Sequence, residues 1–199
     1  MTQKIFTITA PSGAGKTTLA QALQAYGYWV EAISHTSRKM RDGEVEGTTY
    51  YYKSKDKFQS MIGCEEFAEW VEYDGSYYGI SHKEIERVMK TGSHVFIIVD
   101  YNGFTQIKEQ YPDSVNIFLH MTKEDCMANM LLRGDSIKSA TSRIEKYDDE
   151  MKNRGEFDYV VKNVRGQQLA TESILKAIVS QYSRAKSPLR LQGGEPCSI

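Results

Sequence analysis

Residues 4–9 (K-I-F-T-I-T) form a short run of β-branched and aromatic positions that stops at Ala10-Pro11-Ser12-Gly13. A helical pattern follows from Thr17 to about Tyr26, giving strand, glycine loop, helix. Further apolar runs at 28–33, 94–99, 115–119 and 159–161 read as buried strands separated by helical segments. Alternation of this kind predicts a parallel α/β sheet. Ser81-His82-Lys83-Glu84 is a capping box that opens a helix to about Lys90, and Thr122 to Asp125 opens another in the same way. A last helix at about 168–182 places Leu175, Ile178, Val179 and Tyr182 on one face.

Two stretches break the alternation. Residues 34–80 carry tyrosines at 50, 51 and 52, aromatic Phe67, Trp70 and Tyr73, and Asp74-Gly75 as a hairpin turn, and they read as a small β-rich lobe inserted into the core. A second, polar and charged insertion is expected at about 133–143 between two helices. Residues 184–199 contain Gly, Pro and Ser without periodicity and read as a disordered tail.

Composition narrows the function classes. With 199 residues and 40% apolar content, the chain can bury a core without disulfide staples. Its 25 Lys+Arg against 26 Asp+Glu disfavour bulk nucleic-acid binding, while leaving room for a local cluster that grips a small anion. Cys64, Cys126 and Cys197 form no C-x-x-C pair, so neither a disulfide framework nor a zinc site is indicated, and a reducing cytoplasm fits best. No apolar run is long enough to span a bilayer, and no membrane association is expected.

The main chemical signal is Ala10-Pro11-Ser12-Gly13-Ala14-Gly15-Lys16-Thr17-Thr18. Successive backbone N–H groups at a helix start, with a lysine, form a cradle for the phosphates of a nucleoside triphosphate. Lys16 would reach the β and γ phosphates and Thr17 the Mg2+ that accompanies ATP. The strict pattern begins with glycine where this chain has Ala10, which is tolerable if that residue keeps a negative φ. A plain glycine turn with an exposed lysine is the competing reading, and the flanking strand and helix weigh against it.

From Ile33-Ser34-His35-Thr36-Ser37-Arg38 through Arg41-Asp42-Gly43-Glu44 to Tyr50, then at Phe67-Ala68-Glu69-Trp70 and Tyr77-Tyr78-Gly79, the sequence closely resembles the guanylate kinase family. The likeness continues through Asp100-Tyr101-Asn102-Gly103 and Phe157-Asp158-Tyr159 to Asn163. The resemblance implies a P-loop kinase core with a parallel sheet flanked by helices, an inserted β-rich monophosphate-binding lobe and a small helical lid. One domain over 1–183 is expected, with core segments at about 1–33, 81–132 and 144–183, the lobe at about 34–80 and the lid at about 133–143.

The activity implied is ATP-dependent phosphorylation of GMP, and of dGMP, with Mg2+. By the same resemblance Ser12, Gly13, Ala14, Gly15, Lys16, Thr17, Thr18 and Asn163 bind ATP. Arg38, Arg41, Glu44, Tyr50, Ser34, Glu69, Tyr78, Ile80 and Asp100 fall on acceptor-site positions, while Arg133 and Arg143 match lid arginines over the donor phosphates. The chemistry agrees: phosphoryl transfer needs charge neutralisation, which converging arginines and a neutral phenol provide.

Three positions depart from the family pattern. Ile98 stands where an acidic residue is usual, Asn129 where the lid commonly has another arginine, and Ile80 where a Ser or Thr hydroxyl helps read the guanine carbonyl. The spacing between Arg133 and Arg143 is also one residue short. Ile80 bears on base selectivity, so a kinase of the same fold retuned to another purine or deoxynucleotide is one alternative, and a non-catalytic binding module of the same family is another.

Overall fold

The computed structural model describes residues 3–183, apart from 26 and 28. The expected tail at 184–199 lies outside them, as do Tyr26 at the expected end of the first helix and Tyr28 at the expected start of the second strand.

Strand β1 (Ile5–Thr9) leads through the glycine loop into helix α1 (Lys16–Gln24) and on to β2 (Trp29–Glu31). The inserted segment holds β3 (His35–Thr36), β4 (Tyr51–Tyr52), helix α2 (Lys55–Gly63), β5 (Phe67–Tyr73) and β6 (Ser76–Ser81). Helix α3 (His82–Met89) returns the chain to β7 (His94–Ile98), α4 (Tyr101–Gln110), β8 (Val115–His120) and α5 (Lys123–Leu132). Helices α6 (Ile137–Ile144) and α7 (Tyr147–Lys152), a short 3-10 turn, β9 (Tyr159–Lys162) and α8 (Gln168–Ser183) complete the described chain.

The core sheet is parallel in the order β2-β7-β1-β8-β9. Its strands alternate faces with period two. Phe6, Ile8, Phe96, Ile117 and Leu119 pack against Leu19 and Leu23 of α1 and Leu175 and Val179 of α8. Ile5, Val95, Ile97 and Phe118 face the other way, toward Ile85 and Val88 of α3 and Phe104 and Ile107 of α4. Both faces are covered by helices, which is why these strands read as continuous apolar runs. Hydroxyl N-caps fix the helix starts as the sequence implied: Ser81 accepts from the Glu84 N–H and Thr122 from the Asp125 N–H, each at 3.2 Å.

The inserted segment builds a second sheet, β4-β3-β6-β5. Asp74 (φ 49°) and Gly75 (φ 68°) both take the left-handed region that a two-residue hairpin turn requires. One element here was not legible as a strand pattern: α2 is capped by Ser54 and buries Phe58 and Met61, with the Phe58 ring stacked on Phe67 at 4.4 Å. The expected insertion at 133–143 comprises the turn after α5 and most of α6.

Candidate active site

The loop after β1 closes on itself and then opens α1 without a side-chain cap, Gly15 standing at the N-cap with φ 88°. The N–H groups of the first turn therefore have no side-chain acceptor, the arrangement that binds anions at helix starts. Gly13 (φ 84°) is obligatory twice over, because a Cβ there would run into the main-chain carbonyl of Cys126. Ala10 is buried at the strand end, and its carbonyl accepts from the Lys16 ammonium.

Two asparagines hold the loop. Asn163 Nδ2 donates to the Ala14 carbonyl at 3.0 Å and is itself oriented by the Thr171 hydroxyl, while Asn129 Nδ2 donates to the Gly13 carbonyl at 2.9 Å. Asn129, a departure from the family pattern, is thus a structural support of the loop. A cavity of about 550 Å³ lies beside it, lined by residues 11–19 together with Asn129, Arg133, Arg143 and Asn163. Arg133 and Arg143 come together there through Asp135, a residue the sequence reading did not single out: its Oδ2 takes Arg133 at 2.7 Å and Arg143 at 3.5 Å. Those guanidinium groups, Arg133 first, hold the Asp135 carboxyl below the usual carboxylate range.

A second cavity of about 390 Å³ lies at the carboxyl ends of β1 and β7 and shares Ser12 and Lys16 with the first. Burial pushes the Lys16 ammonium below its ordinary value, opposed by the Glu150 and Asp100 carboxylates. Asp100 also caps α4, its Oδ1 accepting from the Gly103 N–H at 2.8 Å.

The third cavity, about 300 Å³, shares Ile98, Val99 and Asp100 with the second and brings in Ser34, Tyr50, Glu69, Tyr78 and Gly79. Glu69 is 6% exposed; burial first, and the Asp100 charge second, push its carboxyl up to about 8, against a hydrogen bond from the Ile80 main chain. Gly103 is required at this point, since a Cβ would sit 3.0 Å from Glu69 Oε2 and 2.9 Å from Val99 Cβ. Joined to this cavity through Tyr50 is a charged cluster. The Arg38 guanidinium lies 5.5 Å from the Tyr50 ring centroid and pairs with Glu44 at 2.6 Å. Glu44 also accepts from the Arg41 N–H at 2.8 Å and the Tyr52 hydroxyl at 2.7 Å; the Arg38 guanidinium first, and these two donors after it, hold its carboxyl down at about 2.

Most of the expected acceptor residues are therefore adjacent, with two exceptions. Arg41 enters the cluster by its main chain and is exposed. Ile80 does not line the cavity: its side chain is 1% exposed and packs in the core group of Ala68, Ile97 and Val99.

A phosphate loop facing a carboxylate-lined cavity across the carboxyl ends of a parallel sheet defines a P-loop nucleotide phosphotransferase. A family model described as guanylate kinase matches residues 2–182. A guanylate kinase of Lactococcus lactis is 34% identical over 183 residues, 90% of this chain and 89% of that protein. One of Buchnera aphidicola subsp. Acyrthosiphon pisum is 41% identical over 165 residues, 80% and 79% of the two chains. The fold matches the crystal structure of guanylate kinase from Anaplasma phagocytophilum with a TM-score of 0.71 at 23% identity, over 93% of this chain and 88% of that one. The chain belongs to the guanylate kinase family and is an enzyme.

Proposed function

We propose that the protein transfers the γ-phosphoryl group of ATP to GMP, and to dGMP, by in-line attack of the acceptor phosphate. The observation that carries this reading is the run of three adjoining cavities. The middle one shares Lys16 with the phosphate-loop side and Asp100 with the Glu69 side, so a donor and an acceptor can meet between them.

On the donor side the loop N–H groups cradle the triphosphate, Lys16 exchanges the Ala10 carbonyl for phosphate oxygens, and Arg133 and Arg143 neutralise charge that builds on the transferred group. On the acceptor side Arg38, held by Glu44, and the Tyr50 phenol grip the GMP phosphate, with Arg41 reaching in when the segment closes. Glu69 accepts from the guanine N1–H and 2-amino group, between Ser34 and Tyr78. Closure of the lobe and the lid excludes water from the γ-phosphoryl group.

The Thr17 hydroxyl, exposed in the donor cavity, and the Asp100 carboxylate are hard oxygen donors that fit Mg2+. Mg2+ would supply neutralisation of the β and γ phosphate charge. The substrates, with Cys64 and Cys126 as free thiols, support a cytoplasmic location. No helix among the described residues is long and apolar enough to cross a membrane.

The test is ADP release from Mg-ATP against a panel of ribo- and deoxynucleoside monophosphates. GMP and dGMP are expected as the best acceptors. Absence of turnover with every monophosphate would overturn the reading, and a different best acceptor would favour the retuned kinase.

A further inference from the structure

The middle cavity contains a carboxylate that the mechanism above does not use. Helix α7 carries Glu150 to its wall, which Thr9, Lys16, Ile98 and Asp100 also line. Two polar atoms there are buried without a hydrogen-bond partner: Glu150 Oε2 and the hydroxyl of Thr9, a residue only 5% exposed. Buried polar atoms are nearly always satisfied, and an orphaned one is costly, the more so when it is charged. Lys16 does not resolve the problem, because its ammonium is turned to the Ala10 carbonyl. The cavity volume of about 390 Å³ leaves ample room for a hydrated ion, given about 30 Å³ per water.

Two carboxylates and one ammonium surround a space into which a triphosphate is to be placed. Lys16 is one positive charge against these two carboxylates, so without a further cation the triphosphate would meet a net negative charge on this wall. Magnesium resolves this, since it keeps several of its waters and is held through one or two carboxylates together with substrate phosphates. We propose that Glu150, working with Asp100, holds the water shell of the Mg2+ that enters with ATP, so that α7 supplies the carboxylate that position 98 does not. Glu150 is then a positioning residue: it acts on the reaction through the ion.

This inference rests on the ATP-dependent reading, and equilibrium binding separates the two. ATP binding to the full chain is measured by calorimetry with Mg2+ and with EDTA, for the native protein, Glu150→Gln, and Glu150→Gln combined with Ile98→Asp. In Glu150→Gln the Mg2+-dependent gain in ATP affinity should fall by about ten- to a hundredfold, the usual effect of removing an outer-shell partner. Metal-free ATP should bind no more weakly, because a negative charge has left the site. Returning a carboxylate at position 98 should restore most of the gain. An unchanged Mg2+ gain in Glu150→Gln would overturn the proposal, as would equal weakening with and without metal, which would make Glu150 a partner of Lys16 only. Native protein that bound ATP under neither condition would overturn the functional reading itself. Should the glutamine variant fail to fold, Glu150→Asp is measured instead: a partial loss of the gain supports the proposal, and an unchanged gain overturns it.

Discussion

Glu69 and Ile80 are register partners across β5 and β6, and the main-chain N–H of Ile80 serves the Glu69 carboxylate while the isoleucine side chain turns into the core. On the proposed reading, the guanine base would thus meet a buried carboxyl with one main-chain donor and no hydroxyl on residue 80.

The first prediction is a pH dependence of GMP binding. In the free enzyme Glu69 holds its proton up to about pH 8, whereas the guanine N1–H and 2-amino group need a carboxylate acceptor. Binding therefore releases a proton, and GMP affinity should rise by up to about tenfold per pH unit toward pH 8 and then level off. Titrating GMP at a series of pH values checks this, with Glu69→Gln expected to lose that component of the slope. The same shift acts on stability with a definite sign. The folded carboxyl is neutral and the unfolded one charged between about pH 4.5 and about pH 8, so the native state binds the extra proton and stability falls as pH rises through that window.

Arg38 and Glu44 give the second prediction. The Glu44 carboxyl stays ionised down to about pH 2, so the 2.6 Å pair persists at every working pH and pre-sets the guanidinium. Arg38→Lys loses the planar fork and should raise KM for GMP by about tenfold or more, the scale of a charge-assisted hydrogen bond. KM for ATP should stay within about threefold. Steady-state kinetics in both substrates decide it: equal effects on the two KM values would remove Arg38 from the acceptor side.

Third, Lys16→Ala should lower kcat by at least about a hundredfold, as expected for loss of a preorganised cation at the transferred phosphoryl group. The Ala10 carbonyl that Lys16 occupies would be left with water, so the loop itself should survive. Single-turnover rates, with a melting curve as the folding control, would show a kcat effect under tenfold if Lys16 had no such role.

The parallel α/β class was legible because it rests on sequence features that act locally, such as the apolar runs of β1, β7 and β8 and the capping hydroxyls of Ser81 and Thr122. The phosphate loop was legible for the same reason: Gly13 and Gly15 are both needed by the local backbone. What escaped the sequence depends on distant neighbours. Asp135 matters because it joins Arg133 to Arg143, Gly103 because α4 presses against Glu69, and Glu150 because α7 folds over the ends of β1 and β7. In sequence Asp135 and Glu150 are ordinary polar residues, and Gly103 is part of a recognisable stretch whose physical reason lies in the packing of α4. Helix α2 was hidden by the tyrosine-rich run before it, although Ser54 with Phe58 and Met61 at helical spacing carried the signal.

The last prediction concerns Ile80→Thr and separates packing from base reading. The isoleucine is 1% exposed among Ala68, Ile97 and Val99, so a threonine there loses apolar contact and brings a hydroxyl into an apolar group. On protein mutational scales that costs about 1–3 kcal/mol, or roughly 2–4 °C of melting temperature for each kcal/mol in a chain of this size. The hydroxyl has one escape from that cost, which is to turn toward Glu69 and the third cavity, where it could serve a guanine carbonyl. The variant should therefore melt several degrees lower when empty and recover part of that loss with GMP bound. Its kcat/KM for GMP should improve relative to a 2-amino purine monophosphate lacking the 6-oxo group. If the ratio of the two efficiencies stays at the native value while the melting temperature falls, position 80 acts on the core alone and the carbonyl is read elsewhere.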